Sequence, residues 1–172
     1  KIREELDIEK VKVAILADKA LYAELPVALI NELFPKMGCE VIGEWRPSFT
    51  ASSVLPELTA IKSAGAHMIF QIASGTAGTV YSRQWGELKI PAVLAGLNVE
   101  AMETPHWHAT YGKCTYAGIC APGMGSIEKT EKTKSFVDGF KKRFGEAPNL
   151  YSTGIYDSIN ILKEAIEQAD SL

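Results

Sequence analysis

Residues 11–45 read VKVAILADKALYAELPVALINELFPKMGCEVIGEW, and this stretch decides the fold. Val11–Ala17 is a short apolar run rich in β-branched residues, which predicts a strand buried on both faces. Leucines then recur at four-residue spacing, which predicts a helix with Pro26 in its first turn and Pro35 just after its last residue. Residues 39–45 predict a second strand. Strand, helix and strand in this order indicate a parallel β-α-β unit.

The same alternation continues along the chain. Apolar runs predict further strands at residues 68–72, 92–97 and 115–121, with helices at about 54–64 and from the SGTAG turn to about Gly86. This pattern predicts the α/β class, with a doubly wound parallel sheet and helices on both of its faces. Two more helices follow the fifth predicted strand with no strand between them. One complete doubly wound domain would have another strand at that point.

Composition and charge narrow the class of partner. The chain has 172 residues, of which 47% are hydrophobic and 23% charged, a balance typical of a globular protein. Its net charge of -3 argues against nucleic acid or an anionic membrane as the main partner.

The sequence offers little support for catalysis or for a metal centre. His106 and His108 flank Trp107 in a segment that we predict to be extended, so that both imidazoles point the same way, but no third suitable ligand is nearby. No nucleophile elbow, HExxH pair or Cys-His pairing is present. We expect a protein that is not an enzyme, and that has no cofactor and no metal site.

The segment after the third predicted strand, residues 73–79, reads ASGTAGT. Small residues let a ligand approach the backbone, free amides at a helix start favour an anion, and Ser74 and Thr76 add hydroxyl donors. As a phosphate loop the segment is poor, because it has neither a Gly-Lys-Ser/Thr sequence nor GxGxxG. The alternative interpretation is an ordinary turn from strand to helix.

Four stretches resemble, in order, the second half of type I periplasmic binding proteins of the leucine/isoleucine/valine-binding and amide-binding group. They are KVAILADKALYAEL at 12–25, GCEVIGEWRPSFTASSVLPELTAIKSAGAHMIF at 38–70, GELKIPAVLAG at 86–96 and FVDGFKKRFGEAPNLYSTGIYDSINILKEAIEQA at 136–169. The resemblance implies one Rossmann-like lobe of a two-lobed protein. Residues 1–147 would form the second ligand-binding lobe. Residues 148–172 would be a return segment and helix of the other lobe, which would precede Lys1.

The resemblance also implies a set of site residues. Tyr22 matches the family's cleft-facing aromatic residue, Ser74 matches a ligand contact, and Tyr151 matches a further aromatic contact. Asn98 stands where amino-acid receptors carry the acidic residue that meets the ligand's ammonium, and Glu100 is a possible substitute for it. For either tyrosine the alternative is a packing role. The candidate ligand-binding residues are Tyr22, Ser74, Gly75, Thr76, Asn98 and Tyr151.

The function implied is that of an extracytoplasmic receptor of an ABC-type importer, which captures an amino acid, carboxylic acid or amide between two lobes. Its partner would be the membrane permease, and its location periplasmic or extracellular, with a lipid anchor before Lys1 as one possible attachment. The neutral Asn98 favours a ligand with an acceptor end and no free amine. The alternatives are a ligand-sensing module of the same fold and a flavodoxin-like nucleotide-binding enzyme.

Overall fold

The structure is a computed structural model that describes residues 2–103, 105–120 and 130–169. The chain divides into two compact units, residues 1–120 and residues 121–172, which are described separately. Among the described residues, no helix combines the length and the apolarity that crossing a bilayer requires.

The first unit is built on a parallel sheet of four strands in the order β2-β1-β3-β4. The strands are β1 Val11–Ala17, β2 Cys39–Trp45, β3 Met68–Ala73 and β4 Val93–Asn98. Their helices are α1 Ile2–Leu6, α2 Leu21–Lys36, α3 Leu55–Ser63, α4 Ala77–Glu87 and α5 His106–Ala109, with a 3₁₀ turn at Glu100–Met102. The predicted α/β class with a doubly wound parallel sheet is confirmed.

Each face of the sheet has its own core, which is why β1 is apolar almost throughout. Ile15 and Ala17 point to one face, where they pack with Ala23, Val27 and Ile30 of α2. Ala14 and Leu16 point to the other face, which α3 and α4 cover; the core there includes Val54, Leu58, Ile61, Ile69, Tyr81, Trp85 and Leu94. Burial of alternate residues on opposite faces is the expected result for a central strand of a parallel sheet.

Helix α2 differs from its prediction at both ends. It begins at Leu21 after Ala20 in an extended conformation, and both Pro26 and Pro35 lie inside it. A proline removes one backbone hydrogen bond from a helix, but packing of the apolar face against the sheet keeps that turn helical. The earlier start places Tyr22 in the first turn of α2, whereas a helix with Pro26 in its first turn would begin after Tyr22.

The fifth predicted strand, residues 115–121, is wrong over its described part, residues 115–120. Thr115 and Tyr116 lie in a turn, and Tyr116 has a φ of 70°. The segment then runs beside β4, since the backbone N–H of Gly118 donates to Leu94 at 2.8 Å and that of Cys120 donates to Gly96 at 2.7 Å. These two bonds lie where a fifth strand would pair, but none of residues 115–120 is in strand conformation, and residue 121 lies outside the described residues.

The second unit contains two helices, α6 Glu131–Phe144 and α7 Leu150–Ala169. A capping box formed by Thr130 and Thr133 starts α6, and Gly145, at a φ of 77°, ends it. The ring of Phe136 lies 4.5 Å from that of Tyr156, centroid to centroid. Phe136 of α6 therefore contacts α7 through Tyr156.

Candidate functional site

The carboxyl ends of β1 and β3 lie side by side, because Ala17 pairs with Ile72. Asp18 follows β1 directly, and Ser74 follows β3 directly. Loops at the carboxyl ends of parallel strands are the usual position for a ligand site in an open α/β sheet. We name residues 18–22 and 73–79 the edge loops, and these ranges include the first residues of α2 and α4, into which the two loops lead.

A buried carboxylate joins the two edge loops. Asp18 is 0% exposed. Its Oδ1 accepts a hydrogen bond from the hydroxyl of Tyr81 at 2.6 Å. Its Oδ2 accepts from the hydroxyl of Tyr22 and from the backbone N–H groups of Ser74, at 3.1 Å, and Gly75, at 3.4 Å. Four donors thus satisfy one carboxylate, as the burial of a charge requires.

The two tyrosines keep their protons at this carboxylate. Burial, together with the hydrogen bond to Asp18 and its negative charge, raises the pKa of Tyr22 and the pKa of Tyr81 far above the usual range. Both phenols therefore remain donors throughout the physiological pH range. Tyr81 is fully buried, whereas Tyr22 keeps 45% of its surface exposed at the edge of the sheet.

The amides at the start of α4 are already in use. The N–H of Ser74 also lies 2.9 Å from the hydroxyl oxygen of Tyr22, in addition to its bond to Asp18. The expectation that amides around Gly75 are free for an anion is therefore wrong for Ser74 and Gly75. The side chains of Ser74 and Thr76 are exposed and remain available to a ligand.

Phe49, which the sequence analysis did not single out, lies against the same loop. Its carbonyl oxygen accepts a hydrogen bond from the N–H of Ala77 at 3.2 Å. A Cβ atom placed on Gly75 would lie 2.3 Å from that oxygen and 3.1 Å from Cδ2 of Phe49. Glycine is therefore needed at position 75 for close approach, and the phenylalanine is held at the edge with 48% of its surface exposed.

Arg46 ties the end of β2 to the same edge. Its Nη2 donates to the carbonyl oxygen of Asp18 at 3.1 Å and to Oε1 of Glu24 at 2.6 Å. The guanidinium therefore fixes the backbone at the start of the first edge loop. The position of Arg46 could be predicted from the sequence, because an arginine directly after a strand lies at the carboxyl edge of the sheet. Its hydrogen-bond partners could not be predicted, because they depend on the order of the strands.

Asn98 lies at the carboxyl end of β4, yet its side chain is 0% exposed. Its Nδ2 donates to Oε1 of Gln71 at 3.0 Å and to the carbonyl oxygen of Gly78 at 2.9 Å. Its Oδ1 accepts from the N–H of Ala101 at 3.3 Å. The side chain thus joins β3, β4 and α4. Glu100, its possible substitute, is half-buried in the 3₁₀ turn.

Tyr151 belongs to the second unit. It lies in the first turn of α7 with 57% of its surface exposed. It shares a shallow apolar groove on that helix with Leu150, Ile155, Ile159 and Leu162. The structure thus brings Tyr22, Ser74 and Gly75 together around Asp18, with Thr76 in the same loop, and it places Asn98 in the interior and Tyr151 on α7.

The two histidines considered for a metal site do not share an environment. Residues 106–109 form helix α5, not an extended segment, with His106 buried and His108 exposed. Burial lowers the pKa of His106. Neither ring nitrogen of His106 has a hydrogen-bond partner among the described residues. Across the described residues, no group of three His, Cys, Asp or Glu side chains is arranged to hold a metal ion.

Comparison with known proteins identifies this architecture. The sequence matches the family model described as "Periplasmic binding protein" over residues 5–172. No curated protein sequence matches significantly.

Solved structures share the fold at low sequence identity. The leucine-binding protein LivK of Thermotoga maritima is 19% identical, with a TM-score of 0.83, over 98% of this chain and 47% of that one. The periplasmic binding protein type 1 of Bordetella pertussis is 21% identical, with a TM-score of 0.80, over 98% and 48%. An ABC-transporter solute-binding protein of R. palustris in complex with benzoate is 15% identical, with a TM-score of 0.75, over 96% and 45%. The chain therefore spans less than half the length of these relatives.

Proposed function

The chain belongs to the periplasmic binding protein family, of type I, and we propose that it forms the second lobe of an extracytoplasmic receptor for an ABC-type importer. The receptor binds a small organic solute without transforming it and delivers it to a membrane permease from the periplasm or the cell exterior. The family match over residues 5–172 carries this proposal. The cluster around Asp18 supports it, because the polar groups lie at the carboxyl edge of the sheet, where ligands of open α/β folds bind.

The other lobe completes the cleft in this proposal. Residues 1–147 then form one lobe and residues 148–172 return to the other, a boundary that lies inside the second compact unit, residues 121–172. The apolar side chains of α7 favour this assignment, since Ile155, Ile159 and Leu162 are each about 60% exposed. An unpaired apolar face on a helix is a surface that another element normally covers.

The proposed ligand is an amino acid, a carboxylic acid or an amide. Tyr22 offers an exposed aromatic face, and Ser74 and Thr76 offer hydroxyl groups beside Gly75. Tyr151, in the return segment, stays a candidate contact that the resemblance implies, and Asn98 shapes the end of β4. One of the similar proteins binds leucine and another holds benzoate, which are an amino acid and an aromatic acid.

Calorimetry on the full-length protein tests the proposal with three probes: leucine, benzoate and benzamide. We expect at least one to bind with a dissociation constant in the micromolar range or below, and Tyr22→Ala to weaken that binding about tenfold or more, because the ring loses its contact. Tyr116→Ala is the matched control, since Tyr116 is 93% exposed and lies near the amino end of β4. Failure of all three probes to bind, or equal losses in the two variants, would overturn the proposal.

A further inference from the structure

The carboxylate of Asp18 has a full set of donors from the protein itself. The donors come from three segments: Tyr22 in α2, the N–H groups of residues 74 and 75 after β3, and Tyr81 in α4. Only one of these groups, Tyr22, also presents a large exposed surface at the edge of the sheet. The buried network therefore ends at a group that a solute at this edge would touch.

We propose that Asp18 is the positioning residue of the ligand site: it holds the ring of Tyr22 against the loop after β3, so that one wall of the cleft is formed in advance. This inference rests on the proposed function. Asp18 itself does not contact the ligand, because it is fully buried. It acts through Tyr22, whose hydroxyl donates to Asp18 and accepts from the N–H of Ser74.

A rigid wall matters for affinity because a mobile aromatic side chain must be ordered when the ligand binds, which costs conformational entropy. The hydroxyl of Tyr22 has two partners, which fix the ring from its far end. A phenylalanine at position 22 would keep the ring face but lose both bonds. The effect on affinity of holding the Tyr22 ring in place can therefore be measured separately from the effect of its contact with the ligand.

The same geometry determines which charge the ligand group facing residues 73–79 can carry. A helix start with free N–H groups attracts an anion, but Oδ2 of Asp18 already accepts from the N–H groups of Ser74 and Gly75. A ligand carboxylate at these two amides would have to displace the carboxylate of Asp18 or lie beside it. Two negative charges that share the same amides repel each other. The solute group that faces this loop is therefore uncharged or a hydrogen-bond donor, and it meets the hydroxyls of Ser74 and Thr76.

Two variants test the positioning role in the full-length protein, with amide hydrogen exchange of residues 74 and 75 and the affinity for leucine, benzoate and benzamide as readouts. We expect Asp18→Asn to speed exchange of both amides about tenfold or more, because it replaces their acceptor by a group that also donates. We expect Tyr22→Phe, at a half-exposed position and with three other donors to Asp18 kept, to weaken probe binding about fivefold while the ring is kept. Tyr81→Phe is the control that removes one donor to Oδ1 and leaves the bonds to Oδ2 in place.

The outcomes separate this inference from the proposed function. If the wild type binds a probe and Tyr22→Phe binds it equally well, the positioning role is overturned and the proposed function stands. If the wild type binds none of the probes, the proposed function fails, and the positioning role fails with it. If benzoate shifts the amide resonances of residues 74 and 75 while benzamide does not, the charge preference is overturned.

Discussion

Asn98 and Gly78 fit together without spare room: Nδ2 of Asn98 donates to the carbonyl oxygen of Gly78 at 2.9 Å, and a Cβ atom on Gly78 would lie 2.4 Å from Oδ1 of Asn98. Helix α4 therefore begins in close contact with the end of β4. Such an approach needs a residue without a side chain on the helix and an amide of fixed orientation on the strand. In the described unit this pair provides a structural explanation for Asn98 that requires no ligand.

Substitution Asn98→Ala should lower the free energy of unfolding by about 2–4 kcal/mol, because it leaves several buried groups without partners and opens a small cavity. Urea unfolding of wild type and variant measures the difference. Asn98→Asp is the informative second variant, because it keeps the acceptor for Ala101 but brings a negative oxygen to the carbonyl of Gly78. We expect it to be destabilised too. Wild-type stability in both variants, combined with altered ligand binding, would instead favour a direct ligand role.

His106 should make the protein less stable on the acid side. Burial lowers its pKa below the usual value of about 6.5, so the folded state holds the imidazole neutral while the unfolded chain takes up a proton. The contribution of His106 to the free energy of unfolding is then complete above about pH 6.5. It decreases as the pH falls below that value, by at most about 1.4 kcal/mol per pH unit. His106→Leu should flatten this dependence. Urea unfolding from pH 7.5 to 5 decides it, and parallel curves for the two proteins would contradict the prediction.

Tyr81 should make the protein less stable at alkaline pH. Its pKa is raised by burial first and by Asp18 second, so the folded state keeps the phenol proton while an unfolded chain loses it above about pH 10. The stability that Tyr81 contributes is thus complete below about pH 10 and falls as the pH rises further. Tyr81→Phe should be less stable at neutral pH, by about 1.5–3 kcal/mol for the lost hydrogen bond to a buried carboxylate. The difference should shrink above pH 10, and groups present in both chains cancel in this comparison. A difference in the free energy of unfolding between wild type and variant that grows with pH would contradict this prediction.

The sheet could be predicted because its central strand β1 is buried on both faces and therefore forms a nearly continuous apolar run, and because strands and helices alternate regularly along the chain. The Asp18 cluster could not be predicted in the same way. An aspartate after a strand is typical of any loop, and the contribution of Tyr81 depends on how α4 crosses the sheet. Asn98 shows the same limit. Alternation puts its side chain on the face of Leu94, but only the position of α4 shows that this face is closed at the carboxyl edge.

Two glycines with different surroundings give a matched test of the edge loops. Gly75→Ala should destabilise the first unit by about 1–3 kcal/mol, because its Cβ would collide with the carbonyl oxygen of Phe49, at 2.3 Å, and the backbone must move. Gly139→Ala should stabilise α6 by about 1 kcal/mol, because alanine is the better helix former and nothing lies within 4 Å of the added atom. Thermal unfolding measures both changes in stability, a loss for Gly75→Ala and a gain for Gly139→Ala. Displacement of the loop at Gly75 should also speed exchange of the Ser74 amide by loosening its bond to Asp18. An unchanged Ser74 exchange rate in a destabilised Gly75→Ala protein would show that Phe49 and Asp18 hold this loop independently.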